Sequence, residues 1–157
     1  MAPQSGNIYW IRQDLRLTDN PALCAALAHS GEEHTVIPVY IWAPHEEGQW
    51  PPGGATRVWL HHSLTSLAAD LEKLGSRLVI INTGPDQPYG GSLEALQAVA
   101  EQFRSQAVFW NRRYEPAIIE RDKAIKASLK EAGLTVSTSN GALLKEPWQV
   151  STKQPSQ

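Results

Sequence analysis

A chain of 157 residues in which 41% are hydrophobic and 19% are charged has the length and composition of one globular domain. Its formal net charge of -2 argues against binding nucleic acid through bulk positive charge. No apolar run approaches the length of a membrane span, and residues 1–6 lack the basic and apolar regions of a signal peptide. The sequence thus predicts a cytoplasmic protein that contacts neither a membrane nor nucleic acid directly.

The first predicted strand, residues 8–11, ends in a cluster of charges of both signs: Arg12, Asp14 and Arg16. A helix start follows, because the side chain of Asn20 can cap a first turn and Pro21 lacks the amide hydrogen that would stay unbonded there. Open α/β sheets bind their ligands at the carboxyl ends of strands. We therefore expect this cluster to border a ligand site.

Short apolar runs alternate with helical patterns along the whole chain. The runs predict strands at 8–11, 36–42, 78–82, 107–110 and 134–138. The helical patterns cover 21–31, 60–75, 92–103 and 116–133, the third of them capped by Ser92. This alternation predicts an α/β fold, a Rossmann-like open parallel sheet of about five strands with helices on both faces. Residues 1–148 are assigned to this domain, and 149–157 to a polar tail or the start of a linker.

Several kinds of site are missing from the sequence. There is no Gly-x-Gly-x-x-Gly turn and no Walker-type loop, although the loop at 84–91 could offer amides to an anion at a helix start or be a plain surface loop. The lone Cys24 lies among apolar residues of the first helix and is expected to be a buried structural thiol. His61 and His62 are adjacent, so they cannot share a metal at helical spacing. We expect a binding pocket without catalytic residues and without a metal.

A second polar cluster follows the fourth predicted strand: Trp110, Asn111, Arg112, Arg113, Tyr114 and Glu115. Two arginines just before a helix start oppose the positive end of the helix dipole, which marks a candidate functional site. Alternatively, Glu115 and a carboxylate such as Asp14 simply pair with these arginines. Trp10, Trp42 and Trp110 stand at strand ends, where they could stack on a heterocyclic cofactor or fill the crevice between sheet and helices.

Three motifs in this order resemble the amino-terminal domain of the DNA photolyase and cryptochrome family: residues 10–23, residues 110–116 and the string Leu143-Leu144-Lys145-Glu146-Pro147-Trp148. The resemblance covers residues 8–148. It implies an α/β domain that holds a light-harvesting antenna chromophore, whereas the family's carboxyl-terminal helical domain binds FAD and damaged DNA. The chain resembles the first domain alone, so by itself it is expected neither to bind FAD nor to repair pyrimidine dimers. A helical FAD-binding domain is the partner that the resemblance implies.

The resemblance also suggests which residues bind the chromophore. The family's antennas are methenyltetrahydrofolate, a deazaflavin or FMN, and all can carry negative charge that suits an arginine-lined pocket. The expected cofactor-binding residues are Arg12, Asp14, Trp42, Arg57, Trp110, Asn111, Arg113 and Glu115.

The identity of the antenna stays open. Folate-binding members often have an Asn-Glu pair where this chain has Ala117 and Ile118, and flavin- or deazaflavin-binding members often have an acidic residue in place of Arg113.

Two other functions are also compatible with the sequence. One is a nucleotide-binding regulatory domain on the same sheet edge, and the other is a cryptochrome-type signalling or interaction module that docks onto a separate helical partner.

Overall fold

The fold is built on a parallel sheet of five strands. The computed structural model describes residues 5–32 and 34–150, so most of the predicted tail, 151–157, lies outside the described residues. The strands are β1 (Gly6–Ile11), β2 (Thr35–Trp42), β3 (Val79–Asn82), β4 (Ala107–Asn111) and β5 (Thr135–Ser139). The helices are α1 (Pro21–Ser30), α2 (Gly54–Lys73), α3 (Ser92–Gln102) and α4 (Pro116–Glu131), with single 3-10 turns at Pro44–Glu46 and Pro147–Gln149.

The strand order in the sheet is β3-β2-β1-β4-β5, and every neighbouring pair is parallel. The predicted fold class is therefore confirmed. The chain first adds strands on one side of β1 and then returns to add β4 on its other side. The carboxyl ends of β1 and β4 thus form the topological switch point, where sheets of this kind open a crevice for ligands.

The central strand β1 is buried along its whole length. Its side chains alternate between the two faces of the sheet, with Ile8 and Trp10 packed against α3 and α4, and Tyr9 and Ile11 against α1 and α2. Burial on both faces explains why the strand appears in the sequence as a continuous apolar run rather than as an alternating pattern.

The structure confirms the predicted cap of α1 but not that of α3. Asn20 caps α1 as predicted, accepting a hydrogen bond from the backbone N–H of Leu23 at 3.2 Å. The prediction that Ser92 caps the third helix was wrong, because Ser92 is already the first residue of α3. Its backbone N–H instead donates to Oε1 of Glu46 at 2.8 Å, so a carboxylate of the chain itself occupies the anion position at this helix start.

Cys24 is exposed, so the prediction of a buried thiol was wrong. The buried side of α1 consists of Ala22, Ala26 and Ser30, which follow one another at four-residue steps. A residue two positions along a helix lies on nearly the opposite side. Cys24 therefore faces solvent although its sequence neighbours are apolar.

No helix in the described ranges has the length and apolar character needed to cross a membrane.

Candidate functional site

A cleft with aromatic walls opens at the carboxyl ends of β1 and β2, beneath the first two turns of α2. Its volume is about 320 Å³. We call it the aromatic cleft, and its principal lining residues are Arg12, Tyr40, Trp42, Glu47, Trp59, Arg113 and Arg121. Apolar walls with a few fixed polar groups are typical of small-molecule sites.

Arg12 is the most unusual residue of the aromatic cleft, because its guanidinium is buried, with only 6% of the residue exposed. Nη2 donates to Asp122 at 2.9 Å, and the guanidinium lies 4.2 Å from the ring centre of Trp10. Nη1 is buried without a hydrogen-bond partner among the described residues. Burial lowers the pKa of Arg12 to about 10, in spite of the neighbouring Asp122. An unbonded buried donor costs roughly 1–3 kcal/mol, so a ligand that accepts from Nη1 would remove this cost.

The predicted tryptophans divide into core and cleft residues. Trp10 and Trp110 are almost fully buried and meet edge to face at 5.3 Å, so they belong to the core beneath the site. Trp10 also forms part of the base of the aromatic cleft, and the guanidinium of Arg121 lies 5.3 Å from its ring centre. Trp42 is half-buried and lines the cleft directly.

Arg113 is fixed at the cleft by two carboxylates. It donates from Nη1 and Nη2 to the two carboxylate oxygens of Glu47, both at 2.7 Å, and from Nη2 to Glu115 at 2.8 Å. Burial alone would lower the pKa of Arg113, but these hydrogen bonds raise it. Arg112 is instead bound by Glu146 at 2.6 Å. Of the two pairings that the sequence suggested, Glu115 does pair with Arg113, whereas Asp14 pairs with neither arginine.

Asp14 and Asn111 hold the loop after β1 in place. The Asp14 carboxylate accepts from Tyr9 Oη at 2.9 Å, from Asn111 Nδ2 at 2.6 Å, from Asn20 Nδ2 at 3.2 Å and from the backbone N–H of Arg12 at 3.0 Å. These bonds join β1, β4 and the start of α1. They fix the backbone from which the Arg12 side chain projects.

A second cleft, of about 510 Å³, lies between the ends of β1 and β4, at the switch point. We call it the polar cleft, and its lining includes Arg12, Gln13, Asp14, Arg16, Asn111, Arg112, Arg113 and Glu115. Six of the eight predicted site residues thus line one of the two clefts or both. Trp110 lies buried beneath them, with an edge toward a smaller pocket near Trp148.

Arg57, like Trp110, lines neither of the two clefts. It is exposed on the first turn of α2, and Nε donates to the carbonyl oxygen of Pro52 at 3.0 Å. Its guanidinium lies 6.0 Å from the ring centre of Trp42. Arg57 therefore stands over the outer edge of the aromatic cleft.

Sequence reasoning missed Trp59, Glu47 and Arg121 as cleft residues. Trp59 was missed because α2 was predicted to begin at residue 60, whereas it begins at Gly54. Glu47 follows a 3-10 turn, and Arg121 lies on a helix of mixed charge, where such residues usually face solvent. In the part of the chain that the structure describes, no three His, Cys, Asp or Glu residues are placed to bind a metal ion.

Comparison with known proteins identifies the family. The DNA photolyase family model matches residues 7–157. The chain belongs to the DNA photolyase family. Relatives of this photolyase-family chain include Cryptochrome-2 of Arabidopsis thaliana, which is 42% identical over 91% of the chain. The chain spans only 22% of that cryptochrome's length.

Two solved photolyases have the same fold as this photolyase-family chain. A bacterial class III photolyase from Agrobacterium tumefaciens is 42% identical and superposes with a TM-score of 0.81 over 98% of this chain and 29% of its own. An archaeal photolyase from Sulfolobus tokodaii is 30% identical, with a TM-score of 0.67 over 86% of this chain and 29% of its own. The archaeal structure is described as holding two FAD molecules, with the implication of a novel light-harvesting cofactor.

Proposed function

We propose that this chain is an antenna domain, which binds a light-harvesting chromophore in the aromatic cleft. The observation that carries the proposal is the cleft itself. Trp42 and Trp59 supply aromatic walls, and Arg12 supplies a buried guanidinium whose Nη1 has no hydrogen-bond partner among the described residues. Its volume lies in the range of roughly 300–1,000 Å³ that is usual for small-molecule pockets. The description of the archaeal relative supports the same role.

The residues of the cleft fit the family's three antenna types, a reduced folate, a deazaflavin or FMN. Each has a flat fused heterocycle that indole rings can stack against, and each has polar edges that accept hydrogen bonds. When bound, such a group supplies the absorption of light. The protein supplies a fixed position and orientation, which the ion pairs of Arg12 and Arg113 maintain.

We propose that FAD binding and DNA repair depend on parts of the relatives that this chain does not match. The relatives in this comparison are three to five times longer than the stretch that this chain matches. We propose that the bound chromophore transfers excitation energy to a flavin on a helical domain, and that the chain does not repair pyrimidine dimers by itself. Repair of a thymine dimer by the purified chain, in the light and with added FAD, would contradict this part of the proposal.

The first experiment is an absorption titration of the purified chain with methenyltetrahydrofolate, FMN and a deazaflavin. We expect one of them to bind with a shifted absorption band, because stacking and burial change the surroundings of the heterocycle. Failure of all three to bind would overturn the proposal.

A matched pair of tryptophan variants locates the binding site. Trp59→Ala removes a wall of the aromatic cleft and should weaken binding about tenfold, which corresponds to 1.4 kcal/mol. Trp50→Ala is the control, because Trp50 is 86% exposed and does not line the cleft. Equal effects of the two substitutions would place the chromophore elsewhere.

A further inference from the structure

Two adjacent carboxylates, Glu46 and Glu47, bind the turn after β2 to different parts of the chain. Oε1 of Glu46 accepts from the backbone N–H of Ser92 at 2.8 Å, at the start of α3, and Oε2 accepts from Nη1 of Arg121 at 3.2 Å, on α4. Glu47 instead accepts from Nη1 and Nη2 of Arg113, each at 2.7 Å. Glu46 therefore anchors the turn to two helices, and Glu47 joins it to the segment that follows β4.

The ion pair between Glu47 and Arg113 crosses the end of β1. The strand order places β2 and β4 on opposite sides of β1. Glu47 belongs to the turn after β2 and Arg113 to the segment after β4, so the bond between them spans the topological switch point, where a sheet of this kind opens its crevice. We call this ion pair the strap.

The geometry of the strap is that of a strong ion pair. Two parallel hydrogen bonds join the guanidinium of Arg113 to one carboxylate, and such bidentate pairs are stronger and more directional than single bonds. The side chains of Arg113 and Glu47 are only 11% and 22% exposed. Nε and Nη2 of Arg113 also donate to Glu115, so all three nitrogens are bound by carboxylates of the chain itself. Arg113 thus serves first as the partner of Glu47.

Arg12 lies beside the strap, since Arg12 and Arg113 line both clefts. The Arg12 side chain is only 4% exposed, and its Nη1 is buried without a hydrogen-bond partner among the described residues. A chromophore can therefore bond to Nη1 only after a neighbouring side chain has moved. The neighbours Arg121 and Asp122 belong to α4, whereas Glu47 and Arg113 lie outside the helices and strands. The strap is thus a contact that can open without displacing an element of the core.

We propose that the strap is a gate of the chromophore site, which opens to admit the chromophore and closes again over it, with Glu47 acting through Arg113 as a positioning residue. The inference rests on the proposed function and adds the residues that control how fast the chromophore enters and leaves. A gate that closes equally well before and after binding slows entry and exit alike. Its loss raises both rate constants and leaves Kd almost unchanged, whereas loss of an ordinary ligand contact raises mainly the dissociation rate.

Stopped-flow fluorescence measures both rate constants for whichever of methenyltetrahydrofolate, FMN and a deazaflavin binds. Glu47→Gln keeps the size of the side chain and removes the charge of the strap. We expect the association and dissociation rates to rise at least about tenfold, with a change in Kd of less than about threefold. Glu120→Gln is the matched control, because Glu120 pairs with Lys123 on an exposed surface and lines neither cleft. Both rates should stay unchanged in the control.

A second measurement tests the strap without any chromophore. NMR follows the exchange of the Arg113 guanidinium hydrogens with water, which the bonds to Glu47 should slow. We expect exchange to be faster in Glu47→Gln than in the parent chain or in Glu120→Gln. Equal exchange in all three would mean that the strap is not formed in solution, and the gate would be wrong.

The rate measurements separate this inference from the proposed function. If Glu47→Gln raised the dissociation rate alone, Glu47 would be an ordinary ligand contact. If it changed neither rate, the ion pair would be merely structural. Either result would overturn the gate and leave the antenna role intact, whereas failure of all three compounds to bind the parent chain would overturn the antenna role and the gate with it.

Discussion

Arg12 and Asp122 form a buried ion pair that ties the end of β1 to the second turn of α4. Nη2 of Arg12 lies 2.9 Å from Oδ2 of Asp122, and the side chains are only 4% and 13% exposed. The other oxygen of Asp122 accepts from Nε and Nη2 of Arg121, which also bonds to Glu46. One carboxylate thus orients the two guanidiniums that flank Trp10 at the base of the aromatic cleft.

We expect Asp122→Asn to destabilise the fold. The substitution leaves the buried Arg12 charge without a counter-ion, and breaking a buried pair in this way typically costs about 3–5 kcal/mol. Urea unfolding followed by tryptophan fluorescence measures the loss. Asp70→Asn is the matched control, because Asp70 pairs with Lys73 on an exposed surface, where such a change costs less than about 1 kcal/mol. Similar midpoints for the two variants would mean that the Arg12 pair contributes little to stability.

The exposure of Cys24 predicts a reactive thiol. A disulfide reagent should modify the folded chain at a single site and at a rate close to that of the urea-unfolded chain, because the sulfur need not wait for an opening of the fold. The expected stoichiometry is one, since the chain has one cysteine. A rate that rose many-fold upon unfolding would mean that the thiol is protected.

The elements that were predictable from sequence are those that local chemistry determines. The strand β1 produces a continuous apolar run because both of its faces are buried, and the cap and proline at Asn20 and Pro21 start α1 without help from the rest of the chain. The charges that follow β1 and those that follow β4 each lie within five residues of the strand end. The two groups of charges meet because parallel strands have their carboxyl ends at the same edge of the sheet.

The features that could not be predicted depend on residues far apart in the sequence. Glu46 reaches the start of α3 from a separate turn, and Arg12 meets Asp122 across 110 positions. The first turns of α2 are exposed and therefore lack the periodic apolar residues that mark a helix in the sequence. For this reason the predicted helix did not extend back to Trp59. No local pattern reveals which acidic residue will face which arginine.

Gly141 allows close packing against the Asn111 side chain in the polar cleft. A β-carbon at residue 141 would lie 2.6 Å from Cγ of Asn111, which is too close for two nonbonded carbon atoms. We expect Gly141→Ala to displace Asn111 from Asp14 and to destabilise the fold by roughly 1–3 kcal/mol. Thermal unfolding measures the change.

The control for this substitution is Gly54→Ala at the first residue of α2, where a β-carbon would meet nothing within 4 Å. Alanine there should leave the melting temperature unchanged or raise it slightly, because alanine favours helix. If Gly141→Ala were equally harmless, Asn111 could move aside freely, and its role in holding Asp14 would be wrong.

Two carboxylates near the polar cleft predict a loss of stability in acid. Burial opposes ionisation of both, but hydrogen bonds from Arg113 to Glu115, and from Tyr114 and Arg112 to Glu146, lower both pKa values below the ordinary 4.5. A lowered pKa in the folded state means that the unfolded state binds more protons. The stability from these ion pairs is therefore fully present above about pH 4.5 and is lost as the pH falls through the folded pKa values.

The prediction is tested by measuring the free energy of unfolding in urea between neutral pH and pH 3. Glu115→Gln should reduce the decline in acid, because glutamine cannot take up the proton. Glu120→Gln is the matched control. Glu120 pairs with Lys123 on an exposed surface of α4, the helix that begins directly after Glu115, and an exposed pair of this kind contributes little. If both variants kept the full decline of the parent chain, protonation of Glu115 would not contribute to acid unfolding.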